Sequence, residues 1–144
     1  RPKFLSEASE VFGKQCIVLS IEAKQRAPGF WEALTDNGRE QTGRNVLNWV
    51  REAESLGIGE VLVTSIDQEG TQKGFDIQLV KSIREVVSVP VIACGGAGDS
   101  NHVSTLLAKT NCDAVSCASL FHYNKVSIPE LKKDLAGSGW EVRR

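Results

Sequence analysis

Val91-Ile-Ala-Cys-Gly-Gly-Ala-Gly98 is a short apolar run that breaks into glycines, and Asp99-Ser100-Asn101 opens a helical pattern directly behind it. A continuous β-branched run reads as a buried parallel strand, and Pro90 is tolerated at a strand start. Glycines past a strand let backbone N–H groups converge on an anion, and the following helix adds the positive end of its dipole. The stretch reads as a phosphate cradle at the carboxyl end of a parallel strand. A plain tight βα turn has the same pattern, so the eight residues alone leave both readings open.

Outward from this stretch the chain repeats one unit. Pro2 to Phe12 reads as a helix with Phe4, Leu5, Ala8, Val11 and Phe12 on one stripe, stopped by Gly13. Cys16-Ile-Val-Leu-Ser-Ile-Glu22 reads as a strand ending on a carboxylate. A polar stretch from Ala23 to Gly43 holds the strong turn signal Asp36-Asn37-Gly38, with Trp31-Glu-Ala-Leu34 beside it as one arm of a small hairpin. So long a connection is seldom idle; Trp31 reads first as a packing residue, with a mobile loop over the pocket as the other reading. Asn45 to Leu56 is the next helix and Glu60 to Ile66 the next strand. Ile77, Val80, Ile83, Val86 and Val87 mark a third helix, ahead of the Val91 strand. A helix from Ser100 to Lys109, a strand from Asp113 to Ala118 and a capping box at Ser127-Ile-Pro-Glu130 complete the chain.

Every strand-to-strand connection carries a helix, which demands parallel neighbours and right-handed crossovers. The expected class is α/β: an N-terminal helix followed by four βα units in one domain, residues 1–144. Ser20-Ile-Glu22 and Ser65-Ile-Asp67 each place an acid where a strand runs out, the end at which parallel α/β folds bind ligands. A doubly wound sheet and one wall of a (βα)8 barrel share this order, and composition and periodicity do not choose between them.

Bulk properties narrow the partners. With 144 residues and a net charge of −1, the chain has no basic face for nucleic acid, and no apolar run has the length of a membrane span. Cys16, Cys94, Cys112 and Cys117 lie in or beside apolar runs without a CxxC pair, which fits a reducing cytoplasm better than a disulfide or zinc framework. The chain begins at Arg1 and lacks methionine, so it is expected to be a trimmed product or a fragment. No cofactor or metal motif is present.

Glu60-Val-Leu-Val-Thr-Ser-Ile-Asp-Gln-Glu-Gly-Thr71, Val91 to Gly98 and Ala118-Ser-Leu-Phe-His122, with Ile21-Glu-Ala-Lys24 and Thr42-Gly43, together resemble the cyclase subunit of imidazole glycerol phosphate synthase. The resemblance runs through the whole chain, in order, and corresponds to the carboxyl-terminal half of that (βα)8 barrel. It therefore implies a half-barrel with a parallel, curved, four-stranded sheet. A second copy is expected to complete it to eight strands, because closure removes open edges. The resemblance further implies histidine biosynthesis: ammonia from a glutaminase partner travels along the barrel and attacks an aminoimidazole ribulosyl nucleotide, and ring closure follows.

That chemistry needs acid and base groups on both sides of the substrate, and the family uses two aspartates, one in each half. Glu22 matches the second-half position but is one methylene longer, and the other acid has no counterpart here, so the chain alone is expected to be inactive. The same matching implies phosphate and substrate contacts from Thr64, Glu69, Gly70, Cys94, Gly95, Gly96, Ala97, Ala118 and Ser119, with a phosphorylated small molecule as ligand. Glu69 stands where the family carries Asp, and Cys94 where it carries Ser. Glu60 matches a charged gate residue at the barrel floor.

Blander readings stand beside these. Glu22 also reads as a solvated strand-end acid, Cys94 and Cys117 as packing residues, His102 and His122 as surface or capping residues, and Trp31, Trp49 and Trp140 as packing. Three further functional readings remain: a fragment of a full-length cyclase, a paralogue relaying ammonia for sugar amidation, and a non-catalytic phosphate-ester-binding module that self-assembles.

Overall fold

The computed structural model describes residues 1–143. Helix α1 (Lys3–Phe12) leads through a 3₁₀ turn into β1 (Val18–Ala27), β2 (Phe30–Thr35) and β3 (Glu40–Asn45). Helix α2 (Val46–Ser55), β4 (Glu60–Ser65), α3 (Ile77–Arg84), β5 (Val91–Cys94), α4 (Ser100–Thr110) and β6 (Ala114–Ser116) follow, and the short α5 (Ser119–His122) and α6 (Ile128–Gly137) close the chain. The strands form one sheet in the order β3-β2-β1-β4-β5-β6. Across β1, β4, β5 and β6 all pairings are parallel, while β2 adds antiparallel to β1 and β3 antiparallel to β2.

Helix starts follow local chemistry. Asn45, Asp76 and Asp99 each accept a backbone N–H three residues on, at 3.0, 2.9 and 2.8 Å, which satisfies one of the orphan amides of a first turn. At α6 the expected capping box forms: Ser127 N–H donates to Glu130 Oε2 at 2.8 Å and Ser127 Oγ accepts from Glu130 N.

One face of the sheet is covered. Ile21, Val63, Ala93 and Val115 fall in register across β1, β4, β5 and β6, and this row packs into a core with Val50 and Ala53 of α2, Leu79 and Ile83 of α3, and Val103 and Leu106 of α4. Each aliphatic side chain fully buried there contributes about 1.5–3 kcal/mol. Along β4 and β5 buried and half-buried residues alternate strictly, so the opposite face has no helical layer. The layering is that of a barrel wall, and it excludes the doubly wound alternative. The sheet is open.

The structure refines three sequence expectations. The parallel sheet of four strands is extended to six, because β1 does not stop at Glu22: it continues to Ala27 and pairs with β2 from Glu22 to Ala27. Of the two readings of Trp31 the packing one holds: it is fully buried in β2, where its Nε1–H donates to Asp76 Oδ2 at 3.1 Å. The α1 stripe is not buried as a whole: Ala8 is covered, but Phe4, Val11 and Phe12 are 57%, 73% and 65% exposed. Among the described residues these three side chains are not covered.

Candidate functional site

The open face carries its own row. Glu22 is paired in register with Thr64, Thr64 with Cys94, and Cys94 with Ser116. Partners in a parallel ladder point to the same side, so four polar or polarisable side chains line up across the carboxyl ends of the four parallel strands, all half-buried. Neighbouring strands lie about 4.8 Å apart, giving the row a span of roughly 14 Å along the sheet.

The glycine stretch turns off the end of β5 beside this row. Gly95 and Gly96 have φ of 97° and 99°, a region that L side chains with a Cβ strongly disfavour. The loop after β4 lies hard against the turn: Gly74 N–H donates to the Gly96 carbonyl at 2.7 Å, and a Cβ on Gly96 or Gly98 would overlap the carbonyl oxygens of Gly74 or Gln72. The glycines are therefore required first by loop-on-loop packing, a constraint that the phosphate reading and the tight-turn reading share. Ala97 between them is 7% exposed.

Glu69 heads into the same corner. Its N–H donates to the Ser65 carbonyl at 2.9 Å, and its Oε2 lies 3.2 Å from where a Gly95 Cβ would stand. A carboxylate there repels a phosphate but accepts hydrogen bonds from hydroxyl groups. Gly70, with φ of 73°, has open space over its Cα. Beyond β6, Ala118 precedes the first turn of α5, which begins at Ser119 and has no side-chain cap, so its leading amides are not taken by a capping side chain.

Two charges beside the row pair with each other. Lys24 Nζ lies 3.1 Å from Asp67 Oδ1, and Gln25 N–H donates to Asp67 Oδ2 at 2.7 Å. Burial raises the Asp67 pKa, but the Gln25 amide and Lys24 outweigh it and hold the carboxyl below its usual range. Burial, with Cys94 nearby, pushes the Cys117 thiol up to about 11, so it is protonated at neutral pH and packs as a small hydrophobe. Glu60 sits opposite Val18 at the other end of the sheet, about 13 Å from Thr64 along the strand. It is remote from the carboxyl tips. Among the described residues no group of three or more His, Cys, Asp and Glu side chains converges as a metal site, and no helix is long and apolar enough to cross a membrane.

Three side chains beside the row had no site role on sequence grounds. Lys24 and Asp67 were visible only as strand-end charges, and their pairing across 43 residues needed the β1–β4 register. His102, read as a capping or surface residue, accepts the Gly98 N–H on Nδ1 at 3.1 Å. The four-residue interval on a helix start was the available signal.

Residues 1–127 match the histidine biosynthesis protein family. The chain belongs to this family. Within it, the chain is 47% identical over 142 residues to the imidazole glycerol phosphate synthase subunit HisF of Streptococcus sanguinis (strain SK36). It is 46% identical over 142 residues to the subunit of the same name in Streptococcus gordonii (strain Challis). Each alignment covers 99% of this chain and 56% of the relative, so the chain spans little more than half the length of the curated relatives it matches. The resemblance read from the motifs thus holds over the entire chain, and the open, one-sided sheet is a partial (βα)8 barrel.

Proposed function

We propose that this chain is the carboxyl-terminal wall, a single half-barrel domain, of an ammonia-dependent cyclase that forms imidazole glycerol phosphate. The observation that carries the reading is the row Glu22, Thr64, Cys94 and Ser116 across the open face, with the glycine turn at the end of β5 beside it. In this reading the amides around Gly95, Gly96 and Ala97, with those at Ala118 and Ser119, hold one phosphate of the substrate. Thr64, Cys94, Glu69 and Gly70 contact the polyol chain between phosphate and ring. Glu22 transfers protons during ring closure, reaching toward the substrate from one side only.

The opposing acid must come from a second wall, so the isolated chain binds without turning over. Mixing it with the amino-terminal wall of a relative and assaying ammonia-dependent turnover tests this directly. Turnover by the mixture and not by either part supports the proposal; its absence, with glycerol 3-phosphate still bound by calorimetry, reduces the chain to a binding module.

A second copy of the chain is the proposed partner when no other wall is present. β2 pairs with β1 only from Glu22 onward, leaving the Val18–Ile21 edge open, with a cavity of about 360 Å³ between that edge and Phe4 and Leu5 of α1. Exposed Phe4, Val11, Phe12 and Val18 lie on α1 and at the start of this edge. An apolar slot beside a free edge suits a parallel strand, and β6 is the edge strand at the parallel end of the sheet. On this reading Glu60, at the barrel floor, faces a glutaminase that supplies the ammonia.

A further inference from the structure

We propose that His102 is the positioning residue that ties together the two glycine loops of the anion cradle. The inference rests on the cradle reading above. Gly98 N–H donates to His102 Nδ1 at 3.1 Å, and a nitrogen that accepts a hydrogen bond carries no proton of its own. The ring is also wedged against the other loop: a Cβ on Gly74 would lie 3.4 Å from His102 Cδ2, and one on Gly98 3.1 Å from Nδ1. Gly74 in turn donates to the Gly96 carbonyl at 2.7 Å. The imidazole therefore binds the Gly98 amide of one loop and lies beside Gly74 of the other. It turns the Gly98 amide toward α4, so the proposed cradle is left to the amides of Gly95 to Ala97. Asp99 fixes the backbone of His102 by capping it at 2.8 Å, so the side chain has a defined origin. A solvated capping histidine would need none of these contacts, and at 29% side-chain exposure the ring is mostly covered.

Two substitutions separate positioning from bulk packing. His102→Asn retains an acceptor near the Nδ1 position, whereas His102→Leu fills space without one. The readouts are the ring ¹⁵N shifts and Gly98 amide exchange by NMR, and the affinity for glycerol 3-phosphate by calorimetry. The expected result is an unprotonated Nδ1 and a protected Gly98 amide in the parent chain. Loss of that protection and about a fivefold weaker affinity follow in His102→Leu, the factor carried by one net hydrogen bond, with recovery of both in His102→Asn. A protonated Nδ1, or unchanged Gly98 protection in His102→Leu, overturns the proposal, as does failure of His102→Asn to recover. Should the parent chain bind no phosphate ester, the cradle reading fails, and Gly98 protection still decides the role of His102. Should His102→Leu not fold, the parent ring shifts and His102→Asn decide it.

Discussion

Glu22 and Thr64 stand opposite each other in the parallel register of β1 and β4, on the side of the sheet that no helix covers. The pairing places a carboxylate and a hydroxyl side by side at the strand tips, one register step from Cys94. A half-buried acid in that position is free to meet a ligand, and its removal leaves the covered core untouched.

Glu22→Gln is therefore expected to alter chemistry and not folding. In a barrel rebuilt with the amino-terminal wall of a relative, turnover should fall by about 10²–10⁴-fold, the range of a lost general acid–base group. The urea midpoint should move by less than about 0.5 kcal/mol equivalent. Glu22→Asp shortens the reach by one methylene and should raise turnover above that of the parent chain. Ammonia-dependent turnover of the aminoimidazole ribulosyl nucleotide checks both; an unchanged rate in Glu22→Gln removes Glu22 from the mechanism.

Gly96→Ala and Gly70→Ala form a matched pair. Both positions have left-handed φ, 99° and 73°, and each alanine costs about 1–2 kcal/mol for that conformation. At Gly70 nothing else lies within 4 Å of the new Cβ. At Gly96 the Cβ meets the Gly74 carbonyl, so the two loops must separate and the Gly74–Gly96 hydrogen bond breaks. Chemical denaturation should show the larger loss for Gly96→Ala, with glycerol 3-phosphate binding abolished there and only weakened in Gly70→Ala.

Much of this was legible in the chain and some of it was not. The Val91 to Gly98 stretch and the capping residues Asn45, Asp99 and Ser127 mark element boundaries through local chemistry, and they lie where the sequence puts them. The Asp36-Asn37-Gly38 turn and its Trp31 to Leu34 arm were legible and form the β2–β3 hairpin. Its addition to β1 was not, because Glu32 is buried only by virtue of Arg26 Nε at 2.7 Å and the Gly43 N–H at 2.8 Å. A carboxylate with distant partners looks like a solvated one in sequence. The cross-strand row was illegible for a related reason: each of its residues is ordinary on its own strand, and only register makes them neighbours. The helix α1 was legible, but which part of its apolar stripe is covered was not, because periodicity marks a stripe without showing what packs on it.

Asp76 joins two parts of the fold. Its Oδ1 caps α3 through the Leu79 amide at 2.9 Å, and its Oδ2 accepts from the buried Trp31 indole at 3.1 Å. Asp76→Ala loses a cap worth about 1 kcal/mol and strands a buried donor at a cost of about 1–3 kcal/mol. Asp76→Asn, with a single acceptor oxygen, should fall between the two. Equilibrium unfolding followed by tryptophan emission reads both the stability and the Trp31 environment; equal midpoints for Asp76→Ala and the parent chain would break the link.

Asp67 makes part of the stability depend on pH. Its folded pKa lies below the ordinary value of 3.8, so the folded state holds the charged form more tightly than the unfolded chain does. The contribution is complete above the unfolded pKa and is lost as pH falls through the folded one. Lys24 and Asp67 are both partly exposed, at 38% and 32%, which limits the ion pair to under about 1 kcal/mol. Asp67→Asn should lower the Tm at pH 7, and the difference should close as pH falls below about 4. A difference that widens in acid would contradict the pairing.

The open edge of β1 makes the final prediction. Val18 is 48% exposed at the start of the strand segment that β2 leaves unpaired, and a charged side chain on a strand edge opposes pairing with another strand. Val18→Lys should leave the helix-covered core intact, since Val18 is outside it, and so retain the far-ultraviolet circular dichroism of the parent. In sedimentation velocity the parent chain should run as a dimer and Val18→Lys as a monomer. Glycerol 3-phosphate affinity should survive in the monomer, because the glycine turn and the β5 tip lie within one chain. A parent chain that sediments as a stable monomer at micromolar concentration would leave the edge to some other wall, and a dimer unaffected by Val18→Lys would move the contact away from β1.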